Sequence, residues 1–223
     1  MNCPQIKAVL FDLDGTIVDT APDLVAALNL ALNDAGLAPA PYQQVKSAAS
    51  HGSMALVNAA APHLQQGEKL AIQHDLLQHY QRINGQYSEF FEGMEHLIHT
   101  LTTLGIPQGI VTNKHARFSR PLCQHLNLTV TMQAIVSGDS CLQPKPHPAP
   151  MLLAASQLGC RPEHILYLGD AARDMEAAVN AGMIPALALW GYLGDEDHHS
   201  WPSRLQFNHP QELEHFLQLN LSQ

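Results

Sequence analysis

The sequence predicts an α/β fold: a doubly wound, Rossmann-like parallel sheet that carries a helical insertion. Three observations support this prediction. Short apolar runs recur along the 223 residues, most of these runs are followed by a helical pattern, and one long interval, residues 17–92, contains no comparable run. Runs that are apolar on both faces and separated by helices are typical of a parallel sheet covered by helices on both sides.

The predicted strands and the helices between them alternate along the chain. The strand runs are AVLFDL (8–13), IPQGIVT (106–112), AIVS (134–137), HILYLG (164–169) and IPALALW (184–190). Three helical segments follow runs of this kind or lead into them, and they end at Gly105, Gly159 and Gly182. Glycine is the residue that most often closes a helix, so these three positions predict helix ends.

The interval without a strand run is predicted to be helical. Residues 19–36 place a leucine at every fourth position from Leu24 to Leu32, and Asp23 suits the first turn of that helix. Two or three further helical segments are predicted between Gln43 and about Tyr87. The interval is far longer than an ordinary βα connection. We therefore predict a core formed by residues 1–17 and 91–223 and a helical domain, residues 18–90, inserted after the first strand.

Composition and charge narrow the classes of partner. With 46% hydrophobic and 14% charged residues the chain reads as globular, and a formal net charge of -9 offers no basic surface for nucleic acid. The longest apolar stretch, residues 183–194, is too short to span a bilayer, so no membrane partner is expected. Four separated cysteines and only MNCPQIK before the first strand indicate a cytoplasmic protein. Both a monomer and a homodimer are compatible with the sequence.

Polar residues follow the predicted strands where each one ends. In an α/β sheet, ligands bind beyond the carboxyl ends of the strands, so these residues are expected to share one edge. They comprise carboxylates, a hydroxyl, an amide and lysines: Asp12, Asp14, Thr112, Asn113, Lys114, Lys145, Asp170 and Asp174.

Each of these residues also has an ordinary structural explanation. The Asp14-Gly15 dipeptide is typical of turns, Thr112 and Asn113 suit a helix cap, and a lysine between prolines suits a solvated loop. Asp170 could be an N-cap and Asp174 a first-turn residue. Their occurrence together at successive strand ends is what favours a functional site.

Carboxylates gathered at one edge raise one another's pKa values unless a cation lies among them. Oxygen ligands select a hard ion, and Mg²⁺ binds one or two carboxylates together with substrate phosphate oxygens. This combination suits phosphoryl transfer, in which one carboxylate can act as a nucleophile and a second as a general acid and base.

Four motifs in order resemble those of the haloacid dehalogenase superfamily of phosphatases: FDLDGT (11–16), VTNK (111–114), KPHP (145–148) and GDAARD (169–174). The resemblance implies that Asp12 is the nucleophile, that Asp14 is the general acid and base, and that both bind Mg²⁺ together with Asp170. It also implies that Thr112, the amide of Asn113 and Lys145 hold the phosphoryl group, and that Asp174 supports the metal's water shell or Lys145. The insertion would then be a cap that closes over the core and excludes water.

Within the superfamily, the chain is most similar to the phosphoglycolate phosphatase group. Residues 50–57, 111–122 and 190–202 also resemble a branch that acts on N-acetylmuramic acid 6-phosphate. The segment SHGS (Ser50, His51, Gly52 and Ser53) lies where related caps direct a loop at the substrate, and it equally suits a turn that begins a helix. Phosphoglycolate enzymes tend to carry Asn-Gly where this chain has His51-Gly52.

Two other functions stay open at this point. A phosphomutase of the same superfamily would need a bisphosphate activator and would release little free phosphate. A receiver-type signalling module would also accept phosphate on an aspartate, although the inserted helices and the second aspartate of FDLDGT argue against it.

Overall fold

A computed structural model of the chain describes residues 5–194 and 197–221. Its eight strands are β1 (Ala8–Phe11), β2 (Val18–Asp19), β3 (Glu89–Phe90), β4 (Gln108–Val111), β5 (Ala134–Val136), β6 (Ile165–Gly169), β7 (Ile184–Ala188) and β8 (Leu205–Phe207). Six of them form one parallel sheet in the order β5-β4-β1-β6-β7-β8. The predicted α/β fold is confirmed, and all five predicted strands are present.

Within the described residues, ten helices accompany the strands: α1 (Ala21–Asp34), α2 (Tyr42–Val45), α3 (Ser53–Ala60), α4 (Gln66–Ile83), α5 (Met94–Thr103), α6 (Ala116–His125), α7 (Leu128–Thr131), α8 (Ala149–Gln157), α9 (Ala172–Asn180) and α10 (Pro210–Leu221). Short 3-10 segments lie at Lys46–His51, Pro162–His164 and His198–Ser200. Among the described residues, no helix is long and apolar enough to cross a membrane.

Strand β1 lies at the centre of the sheet and is buried on both faces. Its side chains alternate: Val9 and Phe11 pack on one side with α5 and α10, and Ala8 and Leu10 pack on the other with α8 and α9. This two-sided burial explains why the run AVLF is continuously apolar. The carboxyl end of β1 therefore opens at a sheet edge whose position is fixed by two packed layers.

Three of the core helices close at the predicted glycines. Gly105, Gly159 and Gly182 have φ values of 69, 61 and 74°, in the left-handed region that a side chain disfavours. Each glycine directly follows a helical turn and precedes a strand or the loop leading to one. The predicted helix ends are thus confirmed.

Helices α1 to α4 pack on one another around a separate hydrophobic cluster. The predicted stripe is part of that cluster, because Leu24, Leu28 and Leu32 are all buried there. The chain leaves the core through β2 and returns through β3, and these strands pair antiparallel. Neither two-residue strand was predicted, since two residues show no period. The assignment of residues 18–90 to a cap domain stays a prediction.

A buried carboxylate ties the two ends of this helical group together. Asp23, in the first turn of α1, accepts hydrogen bonds from the backbone N–H groups of Gly85 (2.7 Å) and Tyr87 (2.9 Å) and from the Ser88 hydroxyl. Asp23 is fully buried. The segment through which the chain returns to the core is therefore fixed to α1, the helix that begins where the chain leaves it.

We predict that Asp23→Ala lowers the free energy of unfolding by about 2–4 kcal/mol, because two backbone donors and one hydroxyl lose a charged acceptor in a buried place. Urea denaturation measures the loss. The matched control is Asp34→Ala at the other end of α1, where the carboxylate is 54% exposed and pairs with His79. That substitution should cost less than about 1 kcal/mol. Equal losses for both variants would contradict a clamping role for Asp23.

Candidate active site

The carboxyl ends of β1, β4 and β6 meet at one edge of the sheet, where residues that follow β1 and β4 line a cavity of about 510 Å³. Asp12, Asp14, Thr112 and Asn113 line the side of the cavity formed by the sheet. The opposite side is formed by the helical insertion and includes the segment 50–53. The structure therefore brings strand-end and insertion residues to a single cavity.

Three buried aspartates form a compact cluster. One carboxylate oxygen from each of Asp12, Asp170 and Asp174 lies within 4.8 Å of the others. Burial, followed by the charges of Asp174 and Asp12, raises the pKa of Asp170 to about 7. Burial likewise raises the pKa of Asp12, against the opposing charge of Lys145. Because these two carboxylates resist ionisation, a cation bound beside them would stabilise their ionised forms.

The Lys145 ammonium lies among these carboxylates and is fully buried. Its Nζ atom is 2.7 Å from Asp174 Oδ1, 3.0 Å from Asp12 Oδ1 and 2.8 Å from the Val111 carbonyl oxygen. Burial alone would raise the pKa of Asp174, but Lys145 and then Arg173 outweigh it and lower that pKa. Lys145 therefore keeps Asp174 ionised within the core.

The side chain of Asn113 holds the backbone of Lys145. Asn113 Nδ2 donates to the Lys145 carbonyl oxygen, and Asn113 Oδ1 accepts from the Lys145 N–H, both at 2.9 Å. The Tyr167 hydroxyl, which sequence reasoning missed, accepts from Lys145 Nζ at 2.7 Å and donates to Val111 O at 2.9 Å. A lone polar residue in the buried run ILYLG was the available signal for Tyr167.

Asp14 has a different environment from the three clustered aspartates. Its Oδ1 atom accepts from the Thr20 hydroxyl at 2.6 Å and from Lys114 Nζ at 2.8 Å. Although burial opposes charge on Lys114, Asp14 and then Tyr80 raise the pKa of its ammonium. Lys114 Nζ also lies 4.7 Å from the centre of the Tyr80 ring on α4. Sequence reasoning included Lys114 in a motif but assigned it no role, and it missed Tyr80.

The loop after β7 contacts Asp170 and holds its carboxylate in place. The Tyr192 N–H donates to Asp170 Oδ2 at 2.8 Å, and the Tyr192 hydroxyl binds Asp19 and the N–H of Ala21 at the start of α1. Gly191 packs so closely on Asp170 that a Cβ atom would overlap it. The described part of loop 190–202 thus connects the carboxylate cluster to the insertion; Asp195 and Glu196 lie outside the described residues.

The segment SHGS both lines the cavity and begins a helix. Ser50, His51, Gly52 and Ser53 all contribute to the wall, and Ser53 is the first residue of α3. Gly52 has a φ of 87°, which lets the chain turn at this point. The two interpretations of this segment that the sequence left open are therefore compatible.

The fold and the site define a class of protein: a doubly wound α/β enzyme with an acidic, lysine-bearing cavity at the carboxyl ends of its strands, roofed by inserted helices. Residues 9–188 match the model of the haloacid dehalogenase-like hydrolase family, and the chain belongs to that family. The family predicted from the four motifs is confirmed.

Proteins named as phosphatases are similar to this chain over nearly its whole length. A phosphoglycolate phosphatase of Xanthomonas campestris pv. campestris is 36% identical over 208 residues, covering 93% of this chain and 94% of its own. An N-acetylmuramic acid 6-phosphate phosphatase of Pseudomonas aeruginosa is 36% identical over 215 residues, covering 96% and 95%. A crystal structure of a predicted phosphoglycolate phosphatase from Haemophilus somnus superposes with a TM-score of 0.84, 26% identity and coverage of 98% and 99%. The predicted enzyme class, a phosphoric monoester hydrolase, is confirmed.

The raised pKa of Asp170 predicts how the metal-free protein responds to pH. Its folded pKa of about 7 lies above its ordinary value of 3.8, so the native state binds the extra proton between those values. The associated stability is present at low pH and is lost as pH rises through 7. In the presence of a chelator, we expect the free energy of unfolding to fall by about 2–3 kcal/mol from pH 5 to pH 8.

Asp170→Asn is the matched control for this pH dependence, because the amide keeps the shape of the carboxyl group and cannot ionise. In urea unfolding, the free energy of unfolding of the variant should fall by about 2–3 kcal/mol less than that of wild type between pH 5 and pH 8. If wild type and Asp170→Asn lose the same stability between pH 5 and pH 8, Asp170 is not the group responsible.

Proposed function

We propose that the chain is a Mg²⁺-dependent phosphatase that hydrolyses a small phosphorylated metabolite through an aspartyl-phosphate on Asp12. The observation that carries the proposal is the position of Asp12. Its carboxylate is buried at the end of β1, lies 3.0 Å from Lys145 Nζ and lines the cavity. A nucleophile needs this combination of a fixed direction and a cationic neighbour for the arriving phosphate.

The residues present fit a hard divalent cation. The three clustered carboxylates offer only oxygen ligands, and the raised pKa of Asp170 reflects its burial and then the negative charges of Asp174 and Asp12. We assign Asp12, Asp170 and the backbone carbonyl of Asp14 as the ligands of Mg²⁺. When bound, the ion would neutralise negative charge on the phosphoryl oxygens. Asp174 supports the site through its 2.7 Å ion pair with Lys145.

The reaction then has two steps. An Asp12 carboxylate oxygen attacks phosphorus, the bond to the leaving oxygen breaks, and the Asp14 carboxyl group gives that oxygen a proton. In the second step Asp14 takes a proton from water, the water oxygen attacks phosphorus, and inorganic phosphate and free Asp12 result. Thr112, the Asn113 backbone amide and Lys145 hold the transferring group in both steps.

We further propose that the substrate is 2-phosphoglycolate or a sugar phosphate such as N-acetylmuramic acid 6-phosphate, the compounds named for the two curated relatives. A cavity of about 510 Å³ is within the usual range for small-molecule sites. The residues that would face the leaving group are those of the insertion, Ser50, His51, Gly52 and Ser53.

The test is a phosphate-release assay with both compounds side by side, with Mg²⁺ and then with a chelator. We expect release from at least one compound, loss of activity on chelation and recovery when Mg²⁺ is added. Asp12→Asn should lower the rate by about 10³-fold or more, because the amide is no nucleophile.

Asp139→Asn, a change of an exposed aspartate outside the set of site residues, is the control and should leave the rate unchanged. Metal-independent turnover, or turnover retained by Asp12→Asn, would contradict the proposed mechanism. Little free phosphate together with a requirement for a bisphosphate would favour a phosphomutase, and a lasting phosphoaspartate without turnover would favour a receiver-type module.

A further inference from the structure

The half of the cavity formed by the insertion differs in charge from the half formed by the sheet. The residues that the insertion contributes to the wall are apolar or neutral polar side chains and one histidine: Leu24, Ala49, Ser50, His51, Gly52, Ser53, Leu77 and Tyr80. No carboxylate belongs to this set within the described part of the chain, although the whole chain carries a formal net charge of -9. An anionic group placed here would meet no repelling neighbour on the insertion.

Lys114 is a cation of the cavity wall that contacts this half, through Tyr80. It lines the cavity, its side chain is only 7% exposed, and its Nζ atom lies between Asp14 Oδ1, at 2.8 Å, and the face of the Tyr80 ring. An ammonium group has three N–H donors, and the Asp14 contact uses one of them. Tyr80, whose ring is a favourable neighbour for the charge, engages at most a second donor through its hydroxyl. Lys114 therefore has donor capacity to offer to a ligand.

A hydroxyl group in the wall of the cavity points to a polar ligand. Ser50 Oγ is buried and has no hydrogen-bond partner among the described residues. Burial of an unpaired hydroxyl costs free energy, so such groups are uncommon and call for a specific explanation. Ser50 lines the cavity, and an oxygen atom of a bound molecule could supply the missing partner.

We propose that the Lys114 ammonium group, held between Asp14 and the Tyr80 ring, binds a carboxylate on the leaving group of the phosphate ester. The inference rests on the proposed phosphatase function and adds its substrate class: phosphate monoesters of hydroxy acids. A carboxylate fits better than a second phosphate. Asp14 already compensates part of the single positive charge of Lys114, so Lys114 can balance a monoanion better than a dianion. Lys114 is thus assigned as a specificity-determining residue.

The test compares matched substrates that differ in the carboxylate. One pair is 2-phosphoglycolate and 2-hydroxyethyl phosphate, and the other is N-acetylmuramic acid 6-phosphate and N-acetylglucosamine 6-phosphate. The quantity measured is the ratio of kcat/KM between the members of each pair, in wild type and in Lys114→Met. Because both substrates are assayed with the same enzyme preparation, the ratio of kcat/KM values does not depend on the fraction of enzyme that is folded.

For the pair that wild type hydrolyses, we expect the wild-type enzyme to prefer the substrate with the carboxylate. Lys114→Met should reduce that preference by about 10- to 100-fold, because a hydrogen bond between charged groups is lost. Lys46→Met is the matched control. Lys46 also lies near aromatic rings, those of Tyr42 and Tyr192, but it does not line the cavity, and its variant should keep the wild-type ratio.

An equal loss of kcat/KM on both members of the pair in Lys114→Met would overturn the proposal, since Lys114 would then act on the reaction and not on the carboxylate. A wild type without preference for the carboxylate would overturn it as well. Failure of the underlying function looks different: wild type would release phosphate from none of the four compounds.

Discussion

The interaction on which the rest of the site depends is the contact of the buried Lys145 ammonium with Asp12 and Asp174. Buried carboxylates take up protons unless positive charge compensates them, and a protonated Asp12 could not act as a nucleophile. The surrounding structure holds Lys145 in place. The Asn113 side chain makes hydrogen bonds to both the N–H and the carbonyl oxygen of Lys145, and the Val111 carbonyl oxygen and the Tyr167 hydroxyl accept hydrogen bonds from its ammonium group. The parallel sheet is what brings these groups from distant parts of the sequence to one edge.

The connection between the core and the helical insertion is itself built from polar contacts. Asp23 fixes the returning segment to α1, and Tyr192 joins the start of α1 to Asp170. The insertion is consequently attached close to the carboxylate cluster, and the cavity lies between the two. A division of labour follows from this placement. The sheet edge presents the groups that any phosphate ester requires, and the insertion with Lys114 presents those that distinguish one leaving group from another.

The sequence was sufficient to predict five of the six strands of the sheet, three helix ends and the strand-end residues, because each depends on a local pattern. Apolar runs marked five strands, and glycines marked three helix ends. Strand β8 and the pair β2 and β3 were missed because two or three residues are too few to show a period. The contacts of Lys114 with Asp14 and of Lys145 with Tyr167 were missed for another reason: Asp14 and Lys114 are 100 residues apart, and no local pattern encodes such a pairing. The catalytic roles and the domain boundaries stay predictions.

The most direct test of the central claim is to trap the phosphoryl group on the protein. The enzyme is mixed with substrate and Mg²⁺, quenched in acid within its first turnover, digested and analysed by mass spectrometry. The mechanism predicts a phosphorylated peptide whose modified residue is Asp12, sensitive to hydroxylamine as an acyl phosphate should be. A phosphoryl group found on any other residue, or turnover with no phosphorylated peptide under conditions that preserve acyl phosphates, would contradict it.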